Sequence, residues 1–124
     1  FVLGIMRQES QFDPKARSYA NARGLMQIMA PTWKGLGGGD TSRYDIDKNV
    51  RLGVKYLAQL LDRYDGDKRL TALAYNWGMG NVSKYRRGEK KQTKVAREYV
   101  AKVMGYQQAY LDFEKTSKTM LARN

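Results

Sequence analysis

The chain carries no histidine and no cysteine. That removes thiolate nucleophiles, histidine general bases and the usual zinc ligands. Any chemistry falls to carboxylates, hydroxyls, amides and backbone groups. Among the carboxylates, one stands out of place. In and just before the stretch IMRQESQFDP, residues Val2, Ile5 and Met6 follow the i, i+3, i+4 spacing of an amphipathic helix, and the next position on that stripe is Glu9. A carboxylate on the inward edge of a helix costs energy unless it is paired, neutralised or used. The bland reading is a half-exposed group that ends the helix or pairs with Arg7, Arg17 or Arg23. The chemical reading is a general acid, because burial disfavours the ionised form and keeps a proton available near neutral pH.

The elements that position Glu9 read as helices, with no clear alternating strand. Phe1 to Gln11 forms the first, and Asp13-Pro14 stops it because the residue before proline avoids helical angles. A small-residue segment runs from Lys15 to Gly24, and Leu25 to Met29 reads as a short apolar helix. Pro31 suits the first turn of another, through Thr32 and Trp33. Gly35 to Ser42, GLGGGDTS, reads as a flexible loop. Asp45 or Asp47 caps the next helix, whose inward stripe is Val50, Val54, Leu57, Leu61 and Tyr64, and Asp65-Gly66 closes it. Leu70, Leu73, Ala74 and Trp77 mark a shorter helix ended by Gly78. Gly80 to Gln92 reads as a basic, polar loop. The last helix is expected from Thr93 to Phe113, with Val100, Val103, Tyr106, Tyr110 and Leu111 inward, and residues 115–124 as a polar tail that frays.

A chain of 124 residues fits one domain with a sizeable core. No apolar run approaches the length that spans a membrane. Because the sequence opens on Phe1 inside an apparent helix, a place within a longer protein is expected. The net charge is +11, from 23 Lys and Arg against 12 Asp and Glu. Such a surface suits a polyanionic environment: nucleic acid, an anionic membrane, or the carboxylates and phosphates of a cell wall. The cations concentrate modestly at Arg86, Arg87, Lys90, Lys91 and Lys94, which read equally as a solvated loop or a binding patch.

Four segments, in order, resemble the catalytic domain of the soluble lytic transglycosylases, with its goose-type lysozyme-like fold. ESQFDPKARS, Glu9 to Ser18, is similar to that family's Glu-Ser motif, and ARGLMQIMAPTW, Ala22 to Trp33, to its Gly-Leu-Met-Gln motif. DIDKNVRLGVKYLAQLL, Asp45 to Leu61, resembles its Asn-hydrophobic-x-x-Gly-x-x-Tyr-Leu helix, and ALAYNWGMGNV, Ala72 to Val82, its Ala-Tyr-Asn-x-Gly-x-Gly motif. AREYVAKV, Ala96 to Val103, is a weaker fifth. Two features depart: the family's Glu-Thr before Arg-x-Tyr-Val is Val95-Ala96 here, and the loop between Asn81 and Thr93 is short and basic; Glu98, close in sequence, is expected on another helical face and is not assigned the missing role.

The resemblance implies a mainly α, lysozyme-like domain over residues 1–124 with a glycan-binding groove between two helical lobes. It implies non-hydrolytic cleavage of the β-1,4 bond between N-acetylmuramic acid and N-acetylglucosamine, leaving 1,6-anhydromuramic acid ends, with Glu9 as the single acid and base. Carried over residue by residue, Ser18, Gln27, Met29, Tyr75, Asn76 and Tyr99 become substrate-binding positions, with Tyr75 orienting Glu9 or the sugar. Without the resemblance, Met29, Tyr75 and Tyr99 read as core side chains and Ser18 as a turn residue. For Trp33 and Trp77, core packing is the safer reading. Gly24, Gly78 and Gly80 read as backbone geometry or close approach of the glycan. No metal or cofactor is implied. The expected partners are peptidoglycan strands and, through the basic surface, anionic wall polymers, with nucleic acid not expected and a monomeric domain in the periplasm or cell envelope; a secreted or phage-borne protein is the alternative. The rivals are a hydrolytic muramidase of the same fold, with its second carboxylate among Asp40, Asp45 and Asp47, and a non-catalytic glycan-binding module.

Overall fold

The computed structural model describes residues 1–123. Six helices follow one another among the described residues: α1 (Val2–Ser10), α2 (Ala30–Gly35), α3 (Ile46–Arg63), α4 (Lys68–Trp77), α5 (Met79–Arg86) and α6 (Lys94–Ala122). Helix α4 sits centrally and packs on α3, α5 and α6, while α1 packs on α6. The core they share is apolar, and Ile5, Met26, Leu57, Leu60, Val82 and Val103 are fully buried in it. Burial of each such side chain contributes about 1.5–3 kcal/mol.

Helix α1 lies antiparallel to α6: Glu9 meets Tyr99, and Gly4 meets the backbone at Val103 and Gln107. The approach at Gly4 is close enough that a Cβ would come within 2.9 Å of the Val103 carbonyl oxygen. Helix α1 ends earlier than the proline signal implies. Gln11 and Phe12 adopt left-handed backbone (φ 51° and 63°), and the Gln11 N–H closes on the Arg7 carbonyl at 2.9 Å. Pro14 lies beyond this stop and does not cause it.

The caps of α3, α4 and α6 follow elementary rules. Asp45, Asp67 and Thr93 each accept a hydrogen bond from a backbone N–H three residues on. Asp47 does not cap α3; it pairs with Arg51 at 2.8 Å on the exposed face. Helix α3 closes at Asp65-Gly66, both left-handed, as the sequence implies.

Several expectations from periodicity give way to tertiary contacts. The buried stripe of α3 is Asn49, Gly53, Leu57, Leu60 and Tyr64, rotated from the predicted one, and Val54 is exposed. The rotation places Asn49 and Gly53 against the 24–26 turn. Leu25 to Met29 is not helical: Gln27 is left-handed (φ 52°), and Arg23 and Ile28 exchange a pair of backbone hydrogen bonds. Residues 79–86 are helical, so the basic loop shrinks to the residues between α5 and α6. In α6 the buried positions are Ala96, Tyr99, Val100, Val103 and Gln107, while Leu111 is exposed. The fraying expected after Lys115 is absent through Ala122; the Lys118–Glu114 pair and the Thr119 hydroxyl on the Lys115 carbonyl support those turns. The glycine-rich loop is tied down, since the Gly38 N–H and the Trp33 ring N–H bond to the Trp33 and Thr41 carbonyls.

Candidate active site

Glu9 emerges from the last turn of α1 into a cavity of about 200 Å³, walled by Gln8 and Glu9 of α1, Asn76 of α4, and Val95, Glu98, Tyr99 and Lys102 of α6. No arginine pairs with it; Arg7 instead stacks on the Tyr106 ring at 4.3 Å. Among the described residues the one side-chain partner of the Glu9 carboxyl is the Tyr99 hydroxyl, which donates to Oε1 at 2.8 Å. Burial pushes the Glu9 pKa up from its ordinary 4.5 to about 7, against the opposing pull of the Tyr99 hydrogen bond. The carboxyl is thus poised to give and take a proton near neutrality, the condition for acid–base work. The out-of-place residue of the α1 stripe is explained by this environment.

Tyr99 and Tyr75 are held protonated. Burial raises both hydroxyls well above the ordinary tyrosine value, and the charge of a nearby ionised Glu9 raises them further. Tyr99 performs the orienting contact expected of Tyr75. The Tyr75 hydroxyl donates instead to the Met26 backbone carbonyl. Its ring meets Tyr56 of α3 at 5.6 Å between centroids.

A second cavity, of about 250 Å³, opens on the other side of Asn76, with Gln27, Met29, Tyr56, Tyr75, Asn76 and Trp77 among its walls. Because Asn76 borders both, the two cavities meet at the C-terminal end of α4. The α1–α6 pair forms one bank, and α3 with the 27–32 segment forms the other. Met29 is 40% exposed and Trp77 half-buried, so each presents apolar surface to this cavity. Trp77 packs against the core with part of its surface, as expected, and with the rest borders this cavity. Trp33 is core, at 4% exposure.

The 15–29 segment is held by polar side chains that bond to backbone. Gln27 is buried, and its amide nitrogen donates to the Ala16 and Gly24 carbonyls at 2.9 Å each. Ser18 lines neither cavity; its Oγ accepts from the Ala22 N–H at 2.9 Å and closes a small turn. The structure thus brings Glu9, Gln27, Met29, Tyr75, Asn76 and Tyr99 to one groove and gives Ser18 a local bond.

Asn49 is the residue that the sequence reading passed over. It is buried, accepts from the Met26 N–H at 2.8 Å, and donates to the Arg23 and Arg43 carbonyls at 3.0 and 2.7 Å. With Tyr75 on its carbonyl and Asn49 on its N–H, Met26 is clamped from both sides. Gly24 sits against this clamp with φ 83°, and a Cβ there would come within 2.3 Å of the Asn49 amide. Asn49 is the first buried position of α3, one turn before Gly53.

Glu98 is a correction. It was expected on another face of α6, yet Val95, Glu98, Tyr99 and Lys102 share one face and all border the Glu9 cavity. Its side chain is 54% exposed and lies 3.8 Å from Lys94. The loop aspartates do not enter: Asp45 caps α3, Asp47 pairs with Arg51, and Asp40 borders a separate depression beside Trp33. No cluster of three metal-ligating side chains occurs among the described residues.

The chain is similar to known proteins in sequence and in fold. The Transglycosylase SLT domain family matches residues 1–97. The membrane-bound lytic murein transglycosylase C of Histophilus somni is 44% identical over 97 residues, which covers 65% of this chain and 27% of the relative. The crystal structure of the 70 kDa soluble lytic transglycosylase of Escherichia coli superposes with a TM-score of 0.83 at 27% identity, over 91% of this chain and 21% of that one. An inactive glutamate-to-glutamine variant of the lytic transglycosylase Slt of Pseudomonas aeruginosa superposes with a TM-score of 0.73 at 31% identity, over 85% and 20%. The helical fold of this chain is the lysozyme-like fold of those structures, and the chain belongs to the Transglycosylase SLT domain family.

Proposed function

We propose that residues 1–124 form one catalytic domain that cleaves peptidoglycan as a lytic transglycosylase. The observation that carries the reading is Glu9: a buried carboxyl with a pKa near 7, held by Tyr99 in a groove that continues past Asn76. The chain spans about a quarter of the relatives it matches, so the domain is read as the catalytic part of a longer protein.

One carboxyl suffices for this chemistry. Protonated Glu9 donates its proton to the glycosidic oxygen as the C1–O bond breaks. The N-acetyl group of the muramic acid residue shields the cation that forms. Glu9, now ionised, takes the proton of that residue's own C6 hydroxyl, and O6 closes on C1. The products are a free 4-hydroxyl on N-acetylglucosamine and a 1,6-anhydromuramic end, with no water consumed and Glu9 reprotonated. Ordinary glycosidases need a second carboxylate to activate water or to attack C1. Glu98 is the sole other carboxylate at the Glu9 cavity among the described residues, and its exposure and its contact with Lys94 fit neither role. The likeness to a relative described as inactive in a glutamate-to-glutamine form also favours a single acid.

In this reading Tyr99 orients the acid, Asn76 bridges the two halves of the groove, and Met29 and Gln27 border the sugar sites. Tyr75 acts by holding the Met26 carbonyl. Ser18 supports the 18–22 turn. The cell envelope or periplasm is the matching place of work, and no described helix is long and apolar enough to cross a membrane. The test is mass spectrometry of fragments released from purified peptidoglycan, beside Glu9→Gln. Anhydro ends, lighter by one water than reducing ends and absent with Glu9→Gln, are expected. Reducing ends would overturn the ring-closure mechanism.

A further inference from the structure

Helix α6 has two working faces. Val95, Glu98, Tyr99 and Lys102 turn toward Glu9, whereas Arg97 and Val100 point the opposite way. On that far face lie two depressions, of about 410 and 450 Å³. Tyr85, Gln92 and Arg97 border both, so the two form one continuous trough. Its charged walls are Arg69 at the start of α4, Lys90 and Lys91 in the connection to α6, and Arg97. The acidic wall residue Asp67 is engaged as the α4 cap, where Oδ1 accepts from the Leu70 N–H at 3.0 Å.

The cations are held for use outside the fold. Arg69 and Lys91 make no ion pair or side-chain hydrogen bond among the described residues. Arg97 donates to the Gln92 carbonyl at 2.8 Å, which fixes its position and leaves its charge uncompensated. Lys90 is anchored by the Asn81 side chain at 2.7 Å and by the Trp77 ring, 5.4 Å from the centroid. By contrast, the neighbouring Arg87 is neutralised by Glu89 at 3.0 Å and borders neither depression. Trp77 and Tyr85 meet edge to face, with centroids 6.4 Å apart, so the trough floor is continuous with the wall of the sugar groove.

We infer that this trough is an exosite for oxyanions repeated along a polymer, and that its occupant is the carboxylate-bearing stem peptides of the peptidoglycan that the groove engages. The occupant, though not the trough, rests on the proposed function. A cationic recess of this volume accepts a flexible carboxylate chain, and Arg69 and Arg97, which border the same depression, suit forked contacts with it. Its place across α6 from the Glu9 cavity assigns it to holding the insoluble substrate and speeding encounter, not to bond breaking.

The test compares full chains: Glu9→Gln alone, and Glu9→Gln with Arg69→Gln and Lys91→Gln. The side chains of Arg69 and Lys91 make no ion pair or hydrogen bond among the described residues, so the fold is expected to survive, and thermal melts check it. Binding to purified sacculi at low salt is expected to weaken about tenfold with the double substitution, and the difference to vanish at high salt. Sacculi stripped of stem peptides by an amidase should bind both proteins equally. In the cleavage-competent background, Arg69→Gln with Lys91→Gln should leave turnover of short, peptide-free glycan oligomers unchanged. Equal binding of intact sacculi by both proteins at low salt would overturn the exosite. Weakened binding that persists on peptide-stripped sacculi, or is confined to a phosphodiester polymer such as DNA, would overturn the assigned occupant. Failure to cleave any glycan would defeat the proposed reaction and leave the binding comparison standing.

Discussion

The two banks of the groove are built by different physics. On the α1–α6 bank, two helices meet through apolar stripes, and a single carboxyl is carried inward by the periodicity itself. On the opposite bank, residues 15–29 have irregular backbone held by side-chain amides: Asn49 on Met26, Arg23 and Arg43, and Gln27 on Ala16 and Gly24. The guanidinium of Arg43 adds bonds to the Asn21 and Ile28 carbonyls at 2.8 Å each. The first bank uses burial to tune a proton; the second uses hydrogen bonds to fix a shape. The difference predicts that substitutions on one bank change chemistry and pH response, and on the other change stability.

The sharpest separation is Glu9→Gln. It keeps the shape of the acid bank and removes its proton, so glycan cleavage should fall by at least about 10²–10⁴-fold in a product-release assay, with the fold intact. Asn49→Ala should do the reverse. Three hydrogen bonds are lost at a buried site, and chemical denaturation should report a loss of about 3–5 kcal/mol. A full-strength fold in Asn49→Ala would erase the distinction between the banks.

A smaller effect links the acid bank to stability. In the unfolded chain Glu9 titrates near 4.5, and in the fold near 7. Below pH 4.5 it is protonated in both states and stability is unaffected. Between about pH 4.5 and 7 the unfolded chain gives up this proton while the fold keeps it, so stability falls by about 3 kcal/mol over that range and levels off above it. Glu9→Gln should therefore raise the melting temperature at pH 8 and leave it nearly unchanged at pH 4. Tyr99→Phe removes the bond that favours the carboxylate, so the alkaline fall in kcat/KM should move up by about one pH unit. The smallest change expected is Asp47→Asn on the outer face of α3, where the exposed pair with Arg51 is worth no more than about 0.5 kcal/mol in a melt.

The same contrast explains what was legible in the sequence. Helices α3, α4 and α6 could be placed from apolar spacing, caps and glycine stops, because those signals are local. Glu9 could be singled out because it interrupts a stripe. Asn49 heads the buried stripe of α3, and two of its three partners lie more than twenty residues away, so its role becomes visible only when the 23–28 turn is folded against it. The supposed helix at Leu25 to Met29 failed for the same reason: its apolar run was real, but Met26 is held in a turn by α3 and α4. Glu98 lies three residues from Val95, nearly one helical turn, so the two share the face that borders the Glu9 cavity and not the separate faces expected. The helical stretch beyond Lys115 was read as fraying because polar composition says nothing of i, i+4 support once Glu114 and Lys118 are paired. The trough behind α6 was visible in the sequence only as a scatter of cations, since its walls come from three elements.

The central claim, that burial turns Glu9 into the proton donor, is tested most directly by titrating its side-chain carboxyl by carbon-detected NMR, with Glu9→Gln to assign the signal. A midpoint near pH 7 is the predicted result. A midpoint near the ordinary value of 4.5 would leave the groove without its acid and contradict the account.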